Sequence, residues 1–298
     1  MNIFITGATG LIGSKLCQFL VHKNHITALT RAPEKAHAVL PAKIECVTDV
    51  AQVDFNDIDI VINLAGEPIA SGRWTQSKKQ KIYQSRIGIT EAIVTAINAA
   101  DTPPHTFISG SAIGYYGRQP SDLTIDESFD QCFDEFSHQL CKEWEETALR
   151  AESSDTRVCL LRTGIVLAKN GGALEKMLPP FRFGLGGPIS DGKHMMSWIH
   201  IDDMVQLILF VIKHQEIQGP VNATAPNPVD NTTFSKSLAE QLSRPCIFTV
   251  PAIAMKLAYG EMADLLLYGQ KVVPKKLLDN GYRFRHQRIN DAFEALGL

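Results

Sequence analysis

Met1–Leu16 reads MNIFITGATGLIGSKL, and this stretch decides the fold. The apolar run NIFIT ends at Gly7, and a helical pattern begins just after Gly10. Gly7, Gly10 and Gly13 form G-x-x-G-x-x-G between strand and helix. The three glycines permit, in turn, a tight turn, close approach of backbone N–H groups to a pyrophosphate, and close packing of helix on strand. The helix N-terminus adds unpaired N–H groups and a partial positive charge. A glycine triplet alone has little specificity, but a strand before it and a helix after it give it weight. On this reading Gly7, Thr9, Gly10, Leu11, Ile12 and Gly13 wrap the pyrophosphate of a dinucleotide.

The chain beyond repeats the strand–helix alternation. HITALT, AKIECV, DIVINLAG, HTFISGS and TRVCLLRTGIVL read as further strands. KIYQSRIGITEAIVTAINAA reads as one long helix with Ile82, Ile89, Ile93 and Ile97 near one face, and FSHQLCKEWEETALRAE as another. Strands that are apolar throughout and alternate with helices imply a parallel sheet covered on both faces. After about residue 168 the pattern changes. Gly and Pro become frequent, DDMVQLILFVIKHQ is helical, GPVNATAPNPVDN reads as a turn-rich loop, and the tail is mainly helical. The expected fold class is α/β: a Rossmann-type, doubly wound parallel sheet at 1–168, with a smaller, mainly helical C-terminal lobe at 169–298. Segments at about 194–225 are expected to return to the Rossmann core.

Bulk properties narrow the partners. The net charge of -3 gives no electrostatic footprint for nucleic acid or an anionic membrane. No apolar run approaches the roughly 20 residues that span a bilayer. Six scattered cysteines form no C-x-x-C pair, so neither a zinc site nor a disulfide framework is indicated. A reduced, cytoplasmic protein acting on a small-molecule substrate is the expectation.

The end of the second strand bears on the cofactor. An acidic residue there would bind the ribose hydroxyls of NAD, but the sequence reads ALTRAPEK, with Thr30 and Arg31 in that place. A guanidinium pairs with a 2′-phosphate, which selects NADP.

The motifs together resemble the extended short-chain dehydrogenase/reductase superfamily over nearly the whole chain. TGATGLIG is similar to its cofactor loop, and DIVINLAG to its fourth-strand motif, which implies that Leu64, Ala65 and Gly66, followed by Glu67, lie beside the cofactor. SGSAIGYYG resembles the motif that supplies a catalytic Ser or Thr, here Ser111. LRTGIVL and SWIHIDDMV resemble later motifs. NLAGEPIA, SRIGIT, GGPISDGKHMMSWIHIDD, PVNATAPNPV and LLYGQKVVPKKLLDNGYRF further resemble the epimerase-family proteins of unknown substrate. The superfamily resemblance also implies a homodimer, paired through the helices after the fourth and fifth strands.

One departure stands out. The superfamily places Tyr and Lys four residues apart on one helix face, where the Lys ammonium lowers the Tyr pKa. This chain has no Y-x-x-x-K. Aligning Glu145 with the family's helix glutamate puts Ser137 and Cys141 at those positions. A shift by one residue gives His138 and Lys142, which also share a face. Ser111, Tyr116 and His138 are therefore the candidate catalytic residues, with one of Tyr115 and Tyr116 facing the cleft and the other in the core. Arg73 and Arg86 are candidate cations for an anionic ligand, or structural ion-pair members. The run HMMSWIHIDD holds His194, His200, Asp202 and Asp203, but it does not read as a metal site. Asp202 is instead placed to cap the next helix, and Lys193 to serve a substrate loop; the resemblance implies that Trp198 and His200 lie near the cleft. The leading reading is an NADP-dependent oxidoreductase or epimerase of a small polar, sugar-like or nucleotide-linked molecule. The alternative is a non-catalytic NADP(H)-binding redox sensor, motivated by the missing pair.

Overall fold

A computed structural model describes all 298 residues. Seven parallel strands form one sheet: β1 (Asn2–Thr6), β2 (His25–Leu29), β3 (Glu45–Val47), β4 (Ile60–Asn63), β5 (Thr106–Ala112), β7 (Arg157–Thr163) and β11 (Gly219–Ala223). Their spatial order is β11-β7-β5-β4-β1-β2-β3, so the winding reverses between β1 and β4. The carboxyl ends of those two strands therefore open into the crevice where such sheets bind ligands. Three two-stranded pairs lie outside the sheet: β6 (Thr124–Ile125) with β13 (Lys271–Val272), β8 (Ile165–Leu167) with β10 (Trp198–His200), and β9 (Met195–Met196) with β12 (Val229–Asp230). The helices are α1 (Leu11–Leu20), α2 (Pro33–Ala36), α3 (Gln76–Gln84), α4 (Ile87–Ala99), α5 (Phe136–Leu149) and α6 (Gly172–Arg182), followed by α7 (Ile201–Lys213), α8 (Asn231–Gln241), α9 (Ala252–Tyr259), α10 (Asp264–Leu267), α11 (Lys275–Asp279) and α12 (Ile289–Leu296).

The pleat divides each strand between two cores. Ile3, Ile5, Ile60 and Ile62 meet α1 and α7, while Phe4, Val61, Phe107 and Val158 meet α4 and α5. A third core, built on Trp198, Phe181, Phe234 and Phe293, belongs to the C-terminal lobe. No helix is long and apolar enough to cross a membrane.

The structure departs from the sequence reading at five places, each with a local cause. The helix expected over 81–100 breaks between α3 and α4. The Ser85 hydroxyl there bonds the Ile82 carbonyl at 2.9 Å and accepts the Glu67 N–H at 2.8 Å, competing with the helical ladder. The strand expected over 156–167 is two strands. At Gly164 the chain leaves the sheet for β10, and a Cβ there would lie 2.5 Å from the Ser197 carbonyl oxygen. Residues 219–223 form a strand rather than a loop. Pro220 is accommodated because β11 is an edge strand, where a missing N–H is tolerated. The mainly helical tail is interrupted at Gly260, with φ +60°, between α9 and α10. Finally, His200 caps α7, its Nδ1 accepting from the Asp202 N–H at 3.1 Å. Asp202 is already helical and pairs with Lys15 instead.

Candidate active site

At the crevice the first glycine loop is pressed against the end of β4. Gly7 has φ +69°, and a Cβ on it would lie 2.5 Å from the Leu64 carbonyl carbon. A Cβ on Gly13 would lie 2.2 Å from the Gly7 oxygen, so the first turn of α1 packs directly on the loop. Gly10 turns its N–H back to that same oxygen at 2.9 Å. α1 has no side-chain cap, and the N–H groups of Leu11, Ile12 and Gly13 find no backbone acceptor. Thr9 and Gly10 are exposed beside them. This uncapped helix start fits a pyrophosphate.

A buried polar chain sets the neighbouring loop. Thr6 Oγ1 donates to Asn63 Oδ1 at 2.6 Å and accepts from the Ala65 N–H at 3.2 Å. Asn63 Nδ2 donates to Thr90 Oγ1 at 2.8 Å, and Trp144 Nε1 donates to the same hydroxyl at 3.0 Å. Leu64, Ala65 and Gly66 are thereby tied to β1, α4 and α5. Thr30 and Arg31 close β2; Thr30 Oγ1 accepts from the Ala32 N–H at 3.3 Å, and Arg31 is exposed. Glu67 turns toward the cations. Its bond from Lys78 Nζ at 2.7 Å holds the carboxyl below its ordinary pKa, with Arg31 and Lys81 acting in the same direction.

Beyond β5 lies a denser network. Ser111 is 5% exposed and donates to Glu145 Oε1 at 2.6 Å. Arg162 grips the same carboxylate bidentately, Nε to Oε1 at 2.9 Å and Nη2 to Oε2 at 2.8 Å. Its Nη1 donates to the Tyr116 hydroxyl at 3.0 Å, which donates to Asn222 Oδ1 at 2.7 Å. The Asn222 N–H then reaches Glu127, which also accepts from the backbone of Lys276 at 3.1 Å. Tyr116 has no exposed surface, and burial pushes its phenol up to about 12. Tyr115 is the half-buried member of the pair, its ring 3.5 Å from the Arg162 guanidinium carbon. Arg162, Asn222 and Glu127 were not singled out from the sequence. The available signal was Arg162, a charge that follows the apolar run VCLL inside the strand RVCLLRT.

α5 presents its inner face to this region. Ser137 and Cys141 are buried on it, against Gly114. Ser137 Oγ donates to Glu135 Oε1 at 2.8 Å, and burial pushes the Cys141 thiol up to about 12, so it stays neutral. His138 is half-buried and shares its Nδ1 with the Tyr115 carbonyl; because a carbonyl only accepts, Nδ1 carries the proton and Nε2 the lone pair. Lys142 is exposed. The structure therefore brings Ser111, Tyr115, Ser137 and His138 to one end of the sheet and turns Lys142 away.

A cavity of about 260 Å³ opens beside Ser137, lined among others by Trp74, Arg118, Glu135, Glu261 and Asp264. Nearby, Arg73 in the loop after β4 donates to the carbonyls of Ala258, at 3.1 Å, and Leu257, while Lys79 on α3 pairs with the lining residue Glu261 at 2.6 Å. The residues of 194–203 have separate positions. The His200 ring packs against that of His286, tilted by 36° with centroids 3.9 Å apart, and Asp203 accepts from the N–H groups of Arg285 and His286. Trp198 is wholly buried in the lobe core, His194 is half-buried and Lys193 exposed.

Residues 3–223 match the NAD dependent epimerase/dehydratase family, and residues 250–296 match a domain of unknown function, DUF1731. An Arabidopsis thaliana protein named epimerase family protein SDR39U1 homolog, chloroplastic, is 39% identical over 304 residues, covering 99% of this chain and 86% of its own. Epimerase family protein ML0860 of Mycobacterium leprae is also 39% identical, over 97% of this chain and 94% of its own. Human epimerase family protein SDR39U1 (isoform 2), solved with NADPH, superposes with a TM-score of 0.91 at 29% identity, covering 100% of this chain and 99% of that one.

Proposed function

Because the chain belongs to the NAD dependent epimerase/dehydratase family, we propose that it binds NADP(H) across the β1–β4 crevice and acts as an oxidoreductase or epimerase on a small polar molecule. The observation that carries this reading is the uncapped start of α1, with Arg31 at the end of the adjacent β2. Leu11, Ile12 and Gly13 offer their N–H groups to the pyrophosphate, and Arg31 offers a fork of donors to a 2′-phosphate. The human relative, solved with NADPH, supports the same choice. Bound NADP(H) supplies hydride chemistry at the nicotinamide. The protein's part is orientation and proton handling. Ser111, its proton directed at Glu145, turns its lone pairs outward to accept from a substrate hydroxyl. His138 offers the Nε2 lone pair as proton acceptor, held in that tautomer by the Tyr115 carbonyl. Tyr116, sealed inside, holds Arg162 and Asn222 in place.

The test is a titration of the purified protein with NADPH and NADH. NADPH should bind at least ~10-fold tighter, and Arg31→Glu should remove that advantage while leaving NADH binding intact. Equal affinities in the unaltered protein would overturn the assignment. The absence of a Tyr and Lys at Ser137 and Cys141 on the inner face of α5 favours a second reading, a redox sensor without turnover. Loss of deuterium from 4-deuterated NADPH into a metabolite pool would select the enzyme. Its retention, together with cofactor-dependent capture of a protein partner, would select the sensor.

A further inference from the structure

Arg86 is a sheltered cation without an anion. Its side chain leaves the junction of α3 and α4 and passes beneath the loop after β4. A Cβ on Gly66 would touch both its Cζ and its Nη2 at 3.0 Å. Nη1 is engaged by the carbonyls of Glu67 and Ile82, each at 3.1 Å. Nε and Nη2 have no partner in the protein, and no carboxylate forms an ion pair with the guanidinium. Glu67 contributes only its carbonyl, because its carboxylate is held by Lys78. On the far side the Trp144 ring lies 5.3 Å from Cζ. Trp144 is itself wedged against β5, where a Cβ on Gly110 would meet its ring at 3.0 Å. The guanidinium thus occupies a slot between the ends of β4 and β5 and the inner face of α5. Nε and Nη2 are not among the sealed, unpaired polar atoms, so they remain open to an acceptor from outside the protein.

The sheet says what that something is. A dinucleotide crosses the point where the winding reverses. Arg31, just past the end of β2, marks the adenosine side, so the other nucleotide lies over β4 and β5, where Gly66 lets Arg86 come close. On α5 the residue facing this slot is the neutral Cys141. We propose that Arg86 holds the nicotinamide half of the cofactor, donating from Nε and Nη2 to the hydroxyls of its ribose. This rests on the NADP(H) reading, and the test separates the two.

The test compares two ligands: NADPH, and adenosine 2′,5′-bisphosphate, which lacks the nicotinamide half. Arg86→Gln should weaken NADPH ~10-fold or more, as expected for lost bonds from a charged donor, and leave the bisphosphate within about twofold. Gly66→Ala keeps the charge but displaces the guanidinium, and should show the same selective loss. It carries the test if Arg86→Gln does not fold. An NADP⁺ analogue without the nicotinamide-ribose hydroxyls should bind the unaltered protein as weakly as NADP⁺ binds Arg86→Gln, with no further loss when both changes are combined. Unchanged NADPH binding, or equal weakening of both ligands, would overturn the role of Arg86 alone. Failure of the unaltered protein to bind either ligand would overturn the NADP(H) reading with it.

Discussion

Glu145 and Arg162 each have about 5% of their side chains exposed, and each is the other's ion-pair partner. A buried pair of this kind gains little over an apolar one, but removing one member strands the other. Arg162→Met should therefore lower stability by about 3–5 kcal/mol in urea unfolding, and Glu145→Gln, which keeps an acceptor, by less. Equal small losses would show that the pair is hydrated. At this scale the strand, glycine turn and uncapped helix start were legible. The glycine loop and Arg31 are read from type and spacing alone. Ser111, Tyr116 and Glu145 were named from the sequence, but the network joining them to Arg162 and Asn222 was hidden, because these residues come from separate elements whose register no local pattern reveals. Arg86 shows the same limit. Its charge is plain in the sequence, whereas the room made for it by Gly66 appears only when the two loops meet.

At the scale of the element, the start of α7 joins a cap to a titration. His200 is wholly enclosed, and burial, then His286, pulls its pKa down to about 4. The groups facing it from neighbouring elements are Asp202, Asp203, His286 and Lys15. A depressed histidine gives stability that is present above the ordinary value near 6.5 and lost as pH falls through about 4. Unfolding free energy should therefore drop by on the order of 3 kcal/mol between those limits. His200→Asn keeps a side-chain acceptor for the Asp202 N–H and should flatten that part of the profile; an unchanged acid limb would place the titration elsewhere. The sequence favoured Asp202 as the cap because aspartate is the commoner one. Element boundaries failed for the same reason at Ser85 and Gly164, where one side chain or one close contact overrides a continuous apolar period. Strand and helix identities within the first half were legible, since double burial leaves an unbroken apolar run that needs no partner to be recognised.

At the scale of the molecule, α9 has no buried residue and is held largely from outside. Arg73 caps its carboxyl end, and Lys79 ties the following turn through Glu261. Arg73→Ala should raise amide exchange over 252–260 by roughly tenfold while leaving the global melting temperature within about a degree. A uniform change across the chain would contradict that division. The edge strand β11 carries a different consequence. It completes the sheet from residues 219–223, after an excursion through β8, α6, β10 and α7. Until that strand emerges from the ribosome, β7 is an open sheet edge able to recruit a neighbouring nascent chain. A fragment ending at 168 should accordingly self-associate, and one ending just past 223 should not. The order of synthesis makes this sheet depend on a segment translated long after its other strands, so crowded polysomes are where its misassembly would start.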